Sequence, residues 1–336
     1  REPRRFRHDA RDLGEGHEAR NKRLDCLATL FRSAFNPIIA EAHDASHGLY
    51  DARTRLSLSL LTARRADLGL VIRGRGTARF RLEMQHTPTV TSFVDVVDLS
   101  LSNPDTLDNF KATFLDPLLD PVTGPVKDPF LRAQITEDYT QPQINNAFRY
   151  TFRSARLNPL RRERGYIYEA SVEVGGNTIY LLDRFVFSPG TIEGSLPGLP
   201  FFREAESDSR LAYRPYVRVV ADLRRYLPLD ARTVLAGKLL GGLARPIGDV
   251  SPVVPFDRRF YAGGASSVRG WGLRELGPGA ASFASSGSNI LGGDVKLETG
   301  VELRHTVLRN LLAADWIGVA FADAGNVWFG PQNPGF

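Results

Sequence analysis

Residues 295–304, VKLETGVELR, alternate an apolar or small residue with a polar one along their whole length. Successive side chains of a strand point to opposite faces, so Val295, Leu297, Thr299, Val301 and Leu303 share one side. Lys296, Glu298, Gly300, Glu302 and Arg304 share the other. The same period of two recurs upstream. Ala78, Phe80, Leu82 and Met84 oppose Arg79, Arg81, Glu83 and Gln85. Tyr166, Tyr168, Ala170, Val172 and Val174 oppose Ile167, Glu169, Ser171 and Glu173, and Val217, Val219, Ala221 and Leu223 oppose Arg218, Val220, Asp222 and Arg224. Shorter runs lie at Arg55–Leu60, Phe148–Arg153 and Thr233–Leu243. These runs are about ten residues long, where an ordinary strand has about five or six and a tilted membrane-spanning strand about 9–11. One face is too charged for the inside of a closed sandwich. Charged-in, apolar-out alternation over that length predicts an all-β, transmembrane antiparallel β-barrel with a wet lumen. A large soluble antiparallel sheet with one solvated face gives the same alternation and stands as the alternative.

Bulk composition narrows the choice. The chain has 336 residues, 42% of them hydrophobic, which is too apolar for a disordered chain. Its net charge of +5 is carried mostly by arginines that alternate with apolar residues instead of clustering, so nucleic acid is not an expected partner. Cys26 is the sole cysteine, which excludes an internal disulfide. No apolar run approaches the roughly 18 residues of a membrane helix. Arg1–Arg23 is charged throughout and holds no apolar segment of signal-peptide type. That leaves a missing start or a cytosolic protein.

Between the strands, Ser188–Pro200 and Leu276–Ser288 read as Gly/Pro/Ser-rich loops. Leu107, Phe110, Phe114 and Leu115 fall at helical spacing after Asn103-Pro104-Asp105 and predict a short helix within Asn103–Asp120. Phe31–Ser46 is a second helical candidate. The long connection before Val295 contains RRFYAGGASSVRGWGLRELGPG, Arg258–Gly279. A connection of that length is usually functional. Its glycines at 263, 264 and 270 suit a backbone that turns sharply and delivers Arg269 to a fixed place. An inward Arg269 needs acidic partners. Glu302 lies on the polar face of the next strand, and Asp323 sits in VAFADAGNVWFG, Val319–Gly330. Asp323 shares its parity with Ile317, Val319 and Phe321, which are then expected to pack under the loop.

At these residues the chain resembles the BamA/TamA superfamily of outer-membrane barrel-assembly proteins, including the TamA-like lipoprotein branch. The motif that carries the resemblance is Val268-Arg269-Gly270-Trp271 followed by Glu302 in GVELRH and Asp323 in FADAGNVW. Gly263, Gly264, Gly325, Asn326 and Trp328 support it, and the likeness is specific from about Ser251 to Trp328. The resemblance implies that the Val-Arg-Gly-aromatic loop folds into the lumen and that Arg269 pairs with Glu302 and Asp323. Trp271 is expected beside the guanidinium or beneath the loop. It further implies an outer-membrane location in a Gram-negative bacterium. The expected partners are membrane lipid, unfolded outer-membrane protein substrates and a periplasmic or inner-membrane assembly partner. Neither cofactor nor metal is implied.

Barrels of that family have about sixteen strands and carry periplasmic POTRA domains. Here about 12–13 strands are expected, in a single barrel domain over residues 1–336 that is incomplete at both ends, with no POTRA domain. The function implied is an assembly or insertion factor for other outer-membrane proteins, without bond chemistry. A secretion pore or passive channel on the same barrel is the alternative, and a soluble β protein is the third. The strongest enzyme-like motif is HDASH, His43–His47, which imitates a zinc-binding H-E-x-x-H but carries Asp44 in place of the glutamate and lacks an evident third ligand. The double substitution His43→Ala, His47→Ala should leave the metal content of the purified protein unchanged. Loss of a stoichiometric zinc, measured by elemental analysis, would restore the enzyme reading.

Overall fold

The computed structural model describes residues 53–67, 71–106, 110–124, 126–157, 164–187, 195–196, 211–248, 250–280, 291–311 and 314–330. The predicted helix at Phe31–Ser46 and the HDASH motif lie outside them.

Long strands dominate: β1 (Arg53–Asp67), β2 (Val71–Thr87), β3 (Val90–Thr106), β4 (Gln143–Leu157) and β5 (Gly165–Gly175). Two short pieces follow, β6 (Ser195–Leu196) and β7 (Leu211–Ala212), then β8 (Tyr216–Pro228), β9 (Thr233–Pro246), β10 (Val295–Leu311) and β11 (Ala314–Trp328). They form an 11-stranded sheet in the order β1-β2-β3-β4-β5-β8-β9-β10-β11, with β6 and β7 off this path. Every neighbouring pair on the path is antiparallel. Among the described residues β1 and β11 are the two edges, and the strands are fewer than the 12–13 expected of the whole chain.

Register explains why the alternation is so regular. One cross-strand line runs Leu56–Leu82–Val94–Tyr150–Val172–Val219–Leu243–Val295–Trp328, apolar at every position. Tyr150, Val172, Val219, Leu243 and Trp328 are exposed, as are Leu297, Val301 and Leu303 further along β10. A soluble sheet solvates its polar face and buries its apolar one. Here the apolar face is the exposed one, as the outer wall of a membrane barrel requires. The adjacent line on the other face reads Arg81–Asp95–Arg149–Glu173–Arg218, alternating in charge across five strands. Opposite charges placed directly across a ladder attract, so the line fixes the register of the inner wall.

The pairing is broken once on this side. A register shift between Asp95 and Asp98 on β3 sets both carboxylates on the inner face, although they are three residues apart. Arg81 Nε lies 2.5 Å from Asp95 Oδ1, and Arg79 Nη2 lies 3.0 Å from Asp98 Oδ2. Arg149 reaches Asp95, Asp98 and Glu173 at 3.3, 3.1 and 2.7 Å.

The long connections collect at one end of the strands, between β3 and β4, β5 and β8, and β9 and β10; tight turns such as Pro88–Thr89 and Leu229–Arg232 lie at the other. In outer-membrane barrels the longer loops are the extracellular ones. The β3–β4 connection holds α1 (Asp116–Leu119), preceded by a π-helical turn at Lys111–Leu115, and α2 (Pro129–Thr140). The short helix expected within Asn103–Asp120 occupies Lys111–Leu119, and pairing with β2 carries β3 through Asn103, Pro104 and Asp105 before it. Asp128 caps α2 by accepting from Phe130 N at 2.8 Å. These helices bury Phe110, Leu115, Leu118, Leu131, Ile135 and Tyr139 against Leu291 and Phe329.

Buried Asp138 on α2 ties the three long connections together. It accepts from Arg259 Nη1 at 2.5 Å and from Arg214 Nη1 at 2.8 Å. Burial alone would raise the Asp138 pKa, but the two guanidiniums outweigh it and hold the carboxyl below the usual range. The stabilisation it provides is therefore present above the ordinary carboxylate pKa and is lost as pH falls through the lowered folded value. Asp138→Asn should loosen the rim by about 3–5 kcal/mol. It should also flatten the acid dependence of amide exchange in residues 253–260. An acid profile like that of the parent protein would refute the assignment.

Candidate functional site

The β9–β10 connection turns inward and follows the polar face of the wall. It enters on Val253, Val254 and a 3-10 turn, Phe256–Arg258. Val254, Phe260 and Ala262 pack with Tyr216, Ala244 and Val327 in one buried cluster. Arg258 Nη1 reaches Glu173 Oε1 at 3.1 Å and Asp98 Oδ2 at 3.4 Å. Glu173, 1% exposed, also takes the Tyr216 hydroxyl in a short hydrogen bond. The loop thereby inserts a cation into a ladder whose carboxylates are already shared among wall arginines. Phe260 sits on Gly242, where an added Cβ would lie 2.5 Å from its ring, and Arg218 stacks on that ring at 4.5 Å. Phe260 and Gly293 exchange two backbone hydrogen bonds of 2.8 Å, which close the base of the loop.

Further along, the loop is pinned to β9 and β10. Lys296 Nζ donates to Tyr261 O at 2.7 Å, and Lys238 Nζ donates to Ser266 O at 3.0 Å. Ser267 Oγ donates to Glu298, which also pairs with Lys238 at 3.0 Å and Lys296 at 2.8 Å. Gly325 stands directly across from Glu298, and a Cβ there would lie 2.9 Å from the glutamate's Cγ. The glycine makes room for the carboxylate.

The turn itself spans Gly263 to Gly272. Gly263, Gly264 and Gly270 have φ of +98°, +106° and +91°, a region that other residues rarely adopt. Gly264 N donates to Trp271 O at 3.0 Å, and Gly263 N donates to Ser267 Oγ at 3.0 Å. Val268 is buried, and the next residue points along the wall to the last two strands. Arg269 Nε and Nη2 donate to Asp323 at 2.6 and 2.8 Å, Nη1 donates to Glu302 Oε2 at 2.7 Å, and the Arg269 backbone N–H adds a 3.1 Å bond to Asp323. Glu302 is shared with Arg304. The planar fork suits two acids at once, and hydrogen bonding to Asp323, then Glu302, strengthens the guanidinium's hold on its proton.

Four placements differ from, or add to, the sequence reading. The ring on Arg269 belongs to Phe321, with 3.7 Å to its centroid, whereas Trp271 is exposed. Trp271 follows Gly270, whose positive φ turns the chain away from the wall once the arginine is seated. Phe321 faces Glu302 across the ladder, so inward parity puts its ring under the guanidinium. Ile317 and Val319 share that parity and are about half exposed, and the ring contact to Arg269 is made by Phe321. Gly300 faces Asp323, and a Cβ there would come 2.7 Å from Asp323 Oδ1. Asn326 Nδ2 donates to Gly279 O at 3.1 Å and ties down the connection seven residues past the turn, while Trp328 lies on the outer apolar line.

Arg258, Lys238, Glu298, Gly300 and Phe321 thus join the site. The Arg258-Arg259 doublet at the root of the glycine-rich stretch was the available signal for the first. Gly300 becomes meaningful only once its cross-strand partner is known.

Gly300→Ala should displace Asp323 and speed proteolysis within residues 263–272, even though it touches neither Arg269 nor the loop. Arg269→Ala and Asp323→Ala, combined in a double-mutant cycle on that protection, should show a coupling of about 1–3 kcal/mol. The Glu302→Ala cycle should give less, since Arg304 competes for that carboxylate. Additive effects in both cycles would mean that these contacts do not hold the loop.

Residues 203–335 match the Omp85 superfamily domain. Among solved structures, the chain is similar to the crystal structure of BamA from Haemophilus ducreyi lacking POTRA domains 1–3, at a TM-score of 0.50 and 15% identity. That match covers 82% of this chain, which spans 46% of the other. The arginine loop, its two acids and the strands that present them therefore lie within the residues that match the Omp85 superfamily domain, on a β-sheet wall whose fold is similar to that of BamA.

Proposed function

We propose that this chain supplies the membrane barrel of a factor that folds or inserts other proteins into the outer membrane of a Gram-negative bacterium. The observation that carries the reading is Arg269 bound to both Glu302 and Asp323 by a loop that lines the inner wall. A loop held at Arg258, Lys296, Glu298 and Arg269 supports a scaffold more than an open conduit. The Omp85 domain over residues 203–335 supports the same reading.

The work required of such a factor is physical. In hydrocarbon each unpaired backbone N–H or C=O costs several kcal/mol, so a lone strand does not enter lipid. A wall whose seam opens offers hydrogen-bond partners to the incoming strand at once, by strand addition. The inward loop keeps the inner wall in one shape while the seam moves. Bond chemistry, nucleotide and metal play no part in these steps. The partners are lipid, an unfolded outer-membrane protein and an assembly protein on the periplasmic or inner-membrane side.

In vesicles holding the full chain, an unfolded outer-membrane β-barrel protein should become heat-modifiable faster than in empty vesicles. Arg269→Ala should slow that gain several-fold while the barrel itself remains folded by the same gel assay. Arg269→Lys should also be slow, because an ammonium cannot bridge both carboxylates with the same geometry. Unchanged rates in both variants would sink the proposal. The charged inner wall favours one competing reading, a channel, and steady unitary conductance of the parent protein in planar bilayers would select it.

A further inference from the structure

The chain leaves β5 through Gly176 and forms α3 (Asn177–Leu182), continued by a π-helical turn at Asp183–Phe187. This segment packs on the outside of the wall. Ile179 and Tyr180 cluster with Ile144, Leu211 and Tyr213, together with Leu99 and Leu101. Leu101 pairs with Ile144 and Leu99 with Asn146, and these positions share the β4 parity of the exposed Phe148, Tyr150 and Phe152. The helix therefore covers the lipid-facing column of β3 and β4 where that column nears the long-loop rim. Ile144 is four residues beyond Phe148, about 13 Å along a strand at 3.3 Å per residue. Barrel tilt makes the rise above Phe148 smaller still.

The two sides of this helix differ sharply. Asp183, its one acid, is turned to the wall, fully buried, and accepts from Tyr213 Oη at 2.5 Å. The other side presents Leu181, Leu182, Phe185 and Val186, the last two 69% and 60% exposed. Arg184 is exposed among them, lies over Phe185 and donates to Tyr180 Oη at 2.9 Å. Four large apolar side chains at i, i+1, i+4 and i+5 make one face, and Arg184, which lies among them, is positive.

We propose that residues 177–187 form a membrane-interface anchor, in which Leu181, Leu182, Phe185 and Val186 enter the boundary between acyl chains and headgroups while Arg184 meets anionic headgroups. Two observations select lipid as the occupant. The helix packs on Leu99, Leu101 and Ile144 of the outward column, so its face extends the lipid-facing wall toward the rim, and its charge pattern is that of interfacial helices, with apolar residues beside a cation and the acid withdrawn. The anchor fixes the β5–β8 connection at the rim, next to Arg214, which binds Asp138. The inference rests on the wall spanning a bilayer.

The test uses single cysteines in a Cys26→Ser background, spin-labelled in the full chain and reconstituted into vesicles of phosphatidylethanolamine and phosphatidylglycerol. Labels at Leu181→Cys and Phe185→Cys should collide more with oxygen than with a water-soluble nickel chelate, at a depth shallower than a label at Val219→Cys. A label at Val122→Cys, 80% exposed in the β3–β4 connection, marks the aqueous limit. Nickel accessibility at Phe185 equal to that at Val122 would overturn the anchor. So would a label shielded from both reagents, which would mean that a second copy or another protein segment covers the face. Nickel access at Val219 would instead refute the membrane barrel itself. Arg184→Glu should make the Phe185 label shallower in these vesicles but not in phosphatidylcholine alone. An unchanged depth in the anionic vesicles would overturn the headgroup assignment.

Discussion

Carboxylates on the inner wall need cations, and the loop provides two of them. Asp95 and Asp98 on β3 and Glu173 on β5 are buried, and the wall arginines that serve them are themselves crowded by one another. Arg258 enters from the loop and completes the set. At the other end of the connection Arg269 does the same for Glu302 and Asp323. A buried charge left without a partner is expensive, so wall and loop depend on each other. Removing Arg258 leaves Asp98 and Glu173 to the crowded wall arginines, and removing Arg269 takes from Asp323 its guanidinium and leaves Glu302 to Arg304, which makes the loop part of the barrel's interior and not an appendage.

Space for these pairs comes from glycine across the ladder. Gly300 stands opposite Asp323, Gly325 opposite Glu298, and Gly242 beneath Phe260. Each is placed where a side chain of the loop or its acidic partner approaches the wall. The glycines within the loop have a different task, since Gly263, Gly264 and Gly270 adopt positive φ and let the chain reverse within a few residues. Composition alone does not separate the two uses, because in one case the glycine answers a cross-strand neighbour and in the other its own backbone.

At the long-loop rim a second polar centre joins elements that sequence order keeps apart. Asp138 lies on a helix between β3 and β4, Arg214 just before β8, and Arg259 at the root of the inward loop. Apolar packing of α1 and α2 against Leu291 and Phe329 surrounds that centre and shields it from water. The rim and the inner wall thus use the same device, an arginine from one connection on a carboxylate from another element.

Alternation in Val295–Arg304 and its counterparts was enough to assign most of the long strands and their inward and outward faces, because a pleated strand has a period of two regardless of its neighbours, but it missed β3, whose bulge between Asp95 and Asp98 breaks the period. The glycine-rich stretch with Arg269, followed in order by Glu302 and Asp323, named the acids through the family resemblance, since Glu298 shares the polar face of Glu302. Everything that depends on register was hidden. The bulge that turns both Asp95 and Asp98 inward, the Arg81–Asp95–Arg149–Glu173–Arg218 ladder and the Gly300–Asp323 pair arise from which residues stand opposite one another. Local pattern carries no such information. Phe321, not Trp271, stacks on the guanidinium for the same reason: the ring that meets Arg269 is set by the ladder of β10 and β11 and by the turn at Gly270, not by adjacency in the chain.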